Sequence, residues 1–471
     1  MRWMLVLPEI YFLAAAAVFC GLAMASKVGA GRAYGIALFL SALGVLVSLA
    51  SAGLEGPFLP VYRVDLFSQV FKILLAIGYF LAVCICSELQ GIREDRHPAF
   101  YLLLTLCTLG LMLLASGVEL LTLYVSLELA SYSLYVLVPL RRGRGIQMEA
   151  GIKYFLIGAV ASALMLLGLA CLYGAAGSTY VAHLARLLPE KIDSPLTWVG
   201  LLLALSGFFF KLALFPFHGW APTVYQGAAN QVAAYIATAT KAAAIAVLVR
   251  FMSAGAVANP RFVHILVGLA VATMTLGNLV AIVQKDLKRL LAYSSIAQAG
   301  YVLVGILSGS ENGYAGAIFY AVAYAAMNFT CFLVLVKVAG DGRDVEIEGL
   351  AGLHRRSPLL AMTLMVGLFS LGGIPPTIGF TGKFLVFHAA MLQGHFYLVL
   401  IAMANVVVSL YYYARVVRAA FLLEPKDPQP VMDLSLQVKL LAAAMVLVTG
   451  AGGLVPGYLY SLALAAAQRL G

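Results

Sequence analysis

The sequence predicts an all-α polytopic membrane protein: about fourteen transmembrane helices, with two inverted five-helix repeats and two discontinuous helices. Three observations lead there. Of the 471 residues, 63% are hydrophobic and 11% charged, against roughly half and a quarter in a soluble domain. Apolar stretches of roughly 18 or more residues recur along the whole length, each long enough to cross a bilayer core. Two stretches, Phe208 to Pro222 and Ser370 to Phe384, carry Lys, Pro and Gly within them, where an ordinary span would run unbroken.

The first apolar run, Met4 to Met24, holds Pro8 and Glu9 near its start. It is longer than the core of a signal peptide and reads as a retained span. Further spans centre near Ala42, Leu75, Thr108, Tyr132, Ala163, Gly207, Ala244, Ala272, Gly300, Ala325, Leu368, Ala404 and Met445. All six cysteines fall inside spans, and Cys84 and Cys86 lack the partners of a zinc or cluster site. They read as small buried hydrophobes.

The net charge of +10 does not require nucleic acid, because membrane proteins collect Lys and Arg in cytoplasmic loops. One alternating set of loops holds Lys27, Arg32, Arg93, Arg96, Arg141, Arg142, Arg144, Lys153, Lys285, Lys288, Arg289, Lys337, Arg343, Arg355, Arg356, Arg415, Arg418, Lys426 and Lys439. The other set holds only Arg2, Arg63, Arg186, Lys191, Arg250, Arg261 and Arg469. The rich set is expected to face the cytoplasm, and an even number of spans then puts both termini outside. Arg141 reads as a positive-inside anchor. Lys285, Lys288 and Arg289 read as a cytoplasmic helix cap, and Lys153 as a snorkelling side chain. Glu9 and Glu119 are expected near span ends, at the interface.

The chain also resembles itself. Tyr135-Val-Leu-Val138 returns as Tyr301-Val-Leu-Val304, Ala150-Gly-Ile-Lys-Tyr-Phe155 as Ala315-Gly-Ala-Ile-Phe-Tyr320, and Pro216-Phe-His-Gly-Trp220 as Pro376-Thr-Ile-Gly-Phe380. Apolar strings match by chance, but three matches in one order at nearly one shift point to a repeat. The shift spans five helices. Five is odd, so the second copy enters from the opposite side. The expected division is three N-terminal helices (1–98), a first repeat (99–255), a second repeat (256–422) and a C-terminal helix (423–471).

Lys211 lies near the middle of the seventh span. A lysine at the bilayer centre costs about 2.5–3.5 kcal/mol on insertion scales, so it should face the protein interior and mark an ion path. Pro216 and Gly219 should break the helix there, which is tolerated only where the chain is buried or lines a wet cavity. The twelfth span repeats the device with Pro375 and Pro376 and then Lys383. Interrupted segments at matching positions in two repeats mark a transport site. Glu128 in the fifth span and Lys241 in the eighth extend the row. Glu128 has no charge within one turn on its own helix, so Lys211 is its natural partner. A buried lysine can take and release protons as its neighbours change. Any one of these lysines could merely satisfy helix-end carbonyls, but four charges with two broken helices favour a relay. His218, beside the first break, joins as a weaker candidate, and His388 as a weaker one still. No paired histidines on adjacent spans could ligate haem, no cysteine cluster could hold iron–sulfur, and no Gly-rich nucleotide loop follows a strand.

These residues resemble a known family. "FKLALFPFHGWAPTVYQGA", Phe210 to Ala228, is similar to the FK…PFHxWxPDVYxGAP pattern of the antiporter-like membrane subunits of respiratory complex I, the proton-translocating NADH:quinone oxidoreductase, and within them to the subunit N branch. "GIKYFLIGAVASA", Gly151 to Ala163, is also family-like. Glu128, Lys211, Lys241 and Lys383 fall where that family keeps its glutamate and three lysines, and His218 matches its histidine. Two departures stand out: Thr223 replaces an aspartate, and "AANQVAAY", Ala228 to Tyr235, replaces a Pro-Thr-Pro-Val segment.

The resemblance implies a proton-translocating subunit in a bacterial inner membrane, working through Glu128, Lys211, His218, Lys241 and Lys383. It implies other complex I membrane subunits and lipid as partners, protons as cargo and no nucleic acid. No cofactor or metal is expected on this chain; NADH, flavin, iron–sulfur clusters and quinone are expected in other subunits. The alternatives are a multisubunit sodium/proton antiporter, a membrane-bound hydrogenase-type complex, and a purely structural assembly subunit.

Overall fold

In lipid a backbone must satisfy its own polar groups, so this apolar chain crosses as helices. The computed structural model describes residues 2–25, 28–89, 91–142, 145–191, 194–255, 260–340, 342–425 and 430–470, without the side chains of residues 2 and 188–191. Lys27, Arg144, Lys426 and the side chains of Arg2 and Lys191 lie outside the described residues.

The N-terminal unit is α1 (Leu7–Met24), α2 (Ala30–Ala50) and α3 (Leu66–Cys84). The first repeat runs α4 (His97–Ser116), α5 (Leu120–Leu137) and α6 (Ile146–Ala176). After the loop helix α7 (Val181–Lys191) comes a broken span of α8 (Pro195–Ala204), α9 (Ser206–Leu212) and α10 (Trp220–Gly227), then α11 (Asn230–Ser253). The second repeat runs α12 (Pro260–Ile282), α13 (Leu287–Leu307) and α14 (Glu311–Val338). A short α15 (Leu353–Arg356) precedes the second broken span, α16 (Pro358–Gly372) and α17 (Ile378–Leu392), and α18 (Phe396–Leu422) follows. The chain ends with α19 (Leu436–Val446), a π turn, and α20 (Gly457–Gln468).

Among the described residues, 12 helices are long and apolar enough to span a membrane, and α16, α17 and Leu436–Ala451 are shorter apolar helices. With α16 and α17 taken as one broken span, every predicted centre falls in a helix. The β-hairpin of β1 (Gly56–Leu59) and β2 (Tyr62–Val64) and the loop helix α7 were not predicted.

The two repeats pack alike. α4 lies on α5 as α12 lies on α13; α6 holds α8 and α10 as α14 holds α16 and α17; α11 returns to α4 as α18 returns to α12. A Cβ on Gly110 would come within 2.8 Å of Ala130 N, and one on Gly277 within 2.7 Å of Ala297 N. At both places only a bare backbone lets the helices meet so closely.

The breaks also close alike. Ala213 takes the left-handed conformation at φ 58°, and its N–H donates to Phe210 O while Leu214 N–H donates to Phe209 O. Gly373 does the same at φ 80°, its N–H on Ser370 O and Ile374 N–H on Phe369 O. Alanine in that conformation carries a penalty of about 1 kcal/mol that glycine avoids. The Phe215–Pro216 and Pro375–Pro376 peptides are both cis. Pro216, Gly219, Pro375 and Pro376 are exposed on the surface of the chain.

Several charges depart from expectation, among them Glu119, which is buried at the N-cap of α5 and accepts from Thr122 N–H at 2.7 Å. Glu9 is not at an interface: it is buried, accepts from the Tyr62 hydroxyl at 2.6 Å and pairs at 2.7 Å with the fully buried Lys72. Lys288 is no solvent-facing cap but fully buried, and Arg141 is nearly so. Among the cysteines, Cys20 is exposed and Cys171 half-buried, so the buried-hydrophobe reading holds for the other four.

Candidate functional site

Lys211 occupies the last turn of α9, where the break ends the helix, and is 1% exposed. Its ammonium donates to the Tyr154 hydroxyl at 3.4 Å and lies over the rings of Tyr154, Phe210 and Tyr135 at 5.5, 5.7 and 6.0 Å. Such faces attract a desolvated cation. Trp220, opening α10, fixes this wall: its indole donates to Phe210 O at 2.9 Å and stacks on Tyr154 at 4.7 Å. Glu128 is buried two turns before Tyr135 on α5 and accepts a short hydrogen bond from Ser162 Oγ. The expected contact pair with Lys211 is therefore not closed: the carboxylate is held by α6 and the ammonium by Tyr154, with Tyr135 on the face between.

A counter-charge acting at this range needs its charge more than its exact reach. Glu128→Gln should lower coupled proton movement several-fold, and Glu128→Asp should do less harm, as measured by gradient formation in membranes holding the intact complex. Equal effects would contradict an electrostatic role.

Lys241, on the most buried helix, donates to Ser295 O at 2.8 Å and to Ser295 Oγ at 2.9 Å. Ser295 Oγ also shares a hydrogen bond with Tyr225 OH of α10 at 3.2 Å. On α17, Lys383 donates to Leu371 O at 2.6 Å, a carbonyl in the last turn of α16, where the helix dipole favours a cation. Gln298 Nε2 reaches the same carbonyl at 2.9 Å and Tyr413 OH at 3.2 Å, and Gln298 Oε1 accepts from Tyr320. Ser294 joins through Tyr413. Both lysines thus border polar side chains of α13, Lys241 at Ser295 and Lys383 at Gln298 through the shared Leu371 carbonyl. The two break-associated lysines occupy opposite arms: Lys211 precedes its break and Lys383 follows.

Two predicted members stand apart. His218 is half-buried and stacked on Phe215, with Nδ1 unpartnered; no hydrogen bond joins it to the lysines. His388 is exposed, stacks on Phe384 and shares with Lys383 an apolar cavity of about 400 Å³. Sequence reading missed Ser294, Ser295 and Gln298, although a Ser-Ser-Ile-Ala-Gln run inside an apolar span is itself a pointer to an interior polar path. Among the described residues, no group of three His, Cys, Asp or Glu side chains could hold a metal ion.

A second cluster holds the far end of α10. Arg141 Nη1 and Lys288 Nζ both donate to Gln226 O, at 2.6 and 2.7 Å. Both also bind Asp344 Oδ1, at 3.0 and 2.7 Å. The Asp344 loop is tied to the start of α13 by Leu287 N–H on Val345 O. One carboxylate therefore joins the broken span of the first repeat to the second repeat.

Fold and site together define an antiporter-like membrane subunit, built from repeated helices around a buried row of lysines. Residues 117–409 match the family described as "NADH:quinone oxidoreductase/Mrp antiporter, TM". NADH-quinone oxidoreductase subunit N 2 of Syntrophobacter fumaroxidans is 56% identical over all 471 residues, 100% of both chains. The chain belongs to this family, among its subunit N members. A chain of respiratory complex I from Thermus thermophilus is 34% identical with a TM-score of 0.83, covering 97% of this chain and 98% of that one. A chain of the Mrp complex from Dietzia sp. is similar in fold alone, at 20% identity and a TM-score of 0.88 over 100% of this chain and 97% of that one.

Proposed function

We propose that this chain is a proton-translocating membrane subunit of an NADH:quinone oxidoreductase, with Lys211, Lys241 and Lys383 as the relay and Glu128 as the charge that adjusts Lys211. One observation carries it: three buried lysines each rest on neutral oxygens, without a carboxylate in contact. Hydroxyl partners serve both protonation states. Ser295 Oγ or Tyr154 OH can accept from an ammonium and donate to an amine, so the site keeps its hydrogen bonds as the proton leaves.

In this reading the cation-rich loops face the cytoplasm, both termini face outward, and residues 99–255 and 256–422 form two half-channels. A proton reaches Lys211 from the cytoplasmic side. It passes by Tyr225, Ser295 and Lys241 to Gln298 and Lys383, and leaves past His388. His218 sits at the edge of the path. Other membrane subunits of the complex surround the chain. NADH, flavin, iron–sulfur clusters and quinone would be held elsewhere in the complex, whose redox chemistry drives the relay.

Arginine tests the relay directly, because it keeps the charge and does not deprotonate in proteins. Lys241→Arg and Lys383→Arg should each lower gradient formation per electron about tenfold or more, the order by which a positioned proton carrier acts. Full pumping by both variants in assembled complexes would mean that neither lysine gives up its proton.

A further inference from the structure

A cavity of about 860 Å³ opens among the cation-rich loops, lined by Tyr34 of α2, Glu88, Glu94 and Asp95 in the turn before α4, and His97 and Tyr101 in the first two turns of α4. Two buried groups on its wall have no hydrogen-bond partner, His97 Nε2 and the Tyr101 hydroxyl. Tyr101 is fully buried, yet it lines a cavity that water can enter, which is where an unpaired hydroxyl finds its partner.

From Tyr101 a row of hydroxyls runs inward. Thr105 follows one turn later on α4 and shares a 2.8 Å hydrogen bond with Tyr79 of α3. Thr108 shares a 2.7 Å hydrogen bond with Tyr235 of α11. α11, which carries Tyr235, packs in turn on α9, whose last turn holds Lys211. Thr105, Thr108, Cys107 and Tyr235 are 0% exposed and Tyr79 is 1% exposed. Hydroxyl pairs between helices can serve simply as glue. Glue alone would not leave His97 Nε2 and the Tyr101 hydroxyl without partners at the wet end of the row.

We propose that this cavity is the mouth of a proton uptake route to Lys211. His97 and Tyr101 take the proton from water, and Thr105, Tyr79, Thr108 and Tyr235 pass it inward. The proposal rests on the relay reading above and adds the path, which recruits α3 from outside the repeats. At each step a hydroxyl gives its own proton to the next acceptor and receives one from the previous donor. The charge travels rather than one particular proton: a hydronium at the mouth returns to water, the neutral Lys211 amine gains its third N–H, and each hydroxyl between them ends with one proton, as it began. Thr105 and Thr108 rest on the carbonyls of Tyr101 and Leu104, at 2.7 and 2.8 Å, and turn from them to pass a proton.

The test removes hydroxyls and keeps shape. Tyr101→Phe with Thr105→Val, in membranes holding the intact complex, should lower gradient formation per electron about threefold or more. Adding these changes to Lys211→Ala should cause no further loss, because groups on one path are not additive. If the double variant pumps fully while Lys211→Ala does not, protons enter elsewhere and the relay reading stands. If Lys211→Ala also pumps fully, the relay reading fails and takes this route with it. Independent, additive losses would mean that the hydroxyls act through packing, and would also overturn the route. Should the double variant not assemble, Thr108→Val carries the same comparison with the same outcomes.

Discussion

Lys211→Ala should abolish most of the proton movement coupled to quinone reduction, a loss of about tenfold or more, while the complex still assembles. The side chain is enclosed by aromatic rings and makes one long hydrogen bond, to Tyr154. Its removal breaks no ion pair, and alanine suits the last turn of α9. Stability should therefore suffer only from a small cavity. Lys211→Met separates the terms: methionine fills the space and carries no proton. Both variants should lose gradient formation, and only the alanine should lose measurable thermal stability. Unchanged gradient formation per electron in either one would remove Lys211 from the path.

The spans were legible because lipid demands long apolar runs, and the two breaks because lysine, proline and glycine cannot share an uninterrupted span. The inverted repeat could be read from short matching strings, and Gly110 and Gly277, which lie outside those strings, meet their neighbouring helices alike. That the two lysines lie on opposite arms was also available by counting, since Lys211 precedes Pro216 and Lys383 follows Pro376. Pairing was not available. Glu128 and Lys211 read as partners, yet Ser162 and Tyr154 claim them, because a third helix and a ring stand between. Lys72 and Glu9 meet across two helices far apart in sequence, and nothing local in either stretch names the other. The β-hairpin at Gly56 to Val64 is too short to register against the surrounding apolar runs. His218 matches a family motif, and what the motif does not state is its placement, stacked on Phe215 without a hydrogen bond to the lysines.

Asp344→Asn should destabilise the chain, through two cations rather than one. Arg141 and Lys288 are both buried, and both turn toward Asp344 after satisfying the carbonyl of Gln226. Losing one partner of a buried pair costs about 3–5 kcal/mol; Asp344 is itself partly wet, so about 2 kcal/mol is the expected loss. The exposed pair Arg355–Glu424 supplies the control, since Glu424→Ala should change thermal stability by less than about 1 kcal/mol. The pH dependence has a definite sign. Burial pushes the Asp344 carboxyl up, but Lys288 and Arg141 together outweigh it and hold it below the usual carboxylate range. A carboxylate lowered in the folded state stabilises above its unfolded pKa and loses that contribution only as pH falls through the folded value. The wild-type chain should therefore keep this contribution throughout the neutral range and lose it only in acid, below about pH 4, whereas the asparagine variant should lack it at every pH. Because the cluster ties α10 to the start of α13, the variant should also weaken coupling between the repeats, lowering gradient formation per electron under conditions where the complex is still folded. Equal melting temperatures for wild type and Asp344→Asn near neutral pH would show that the two buried cations find other partners, and that the junction between the repeats is held elsewhere.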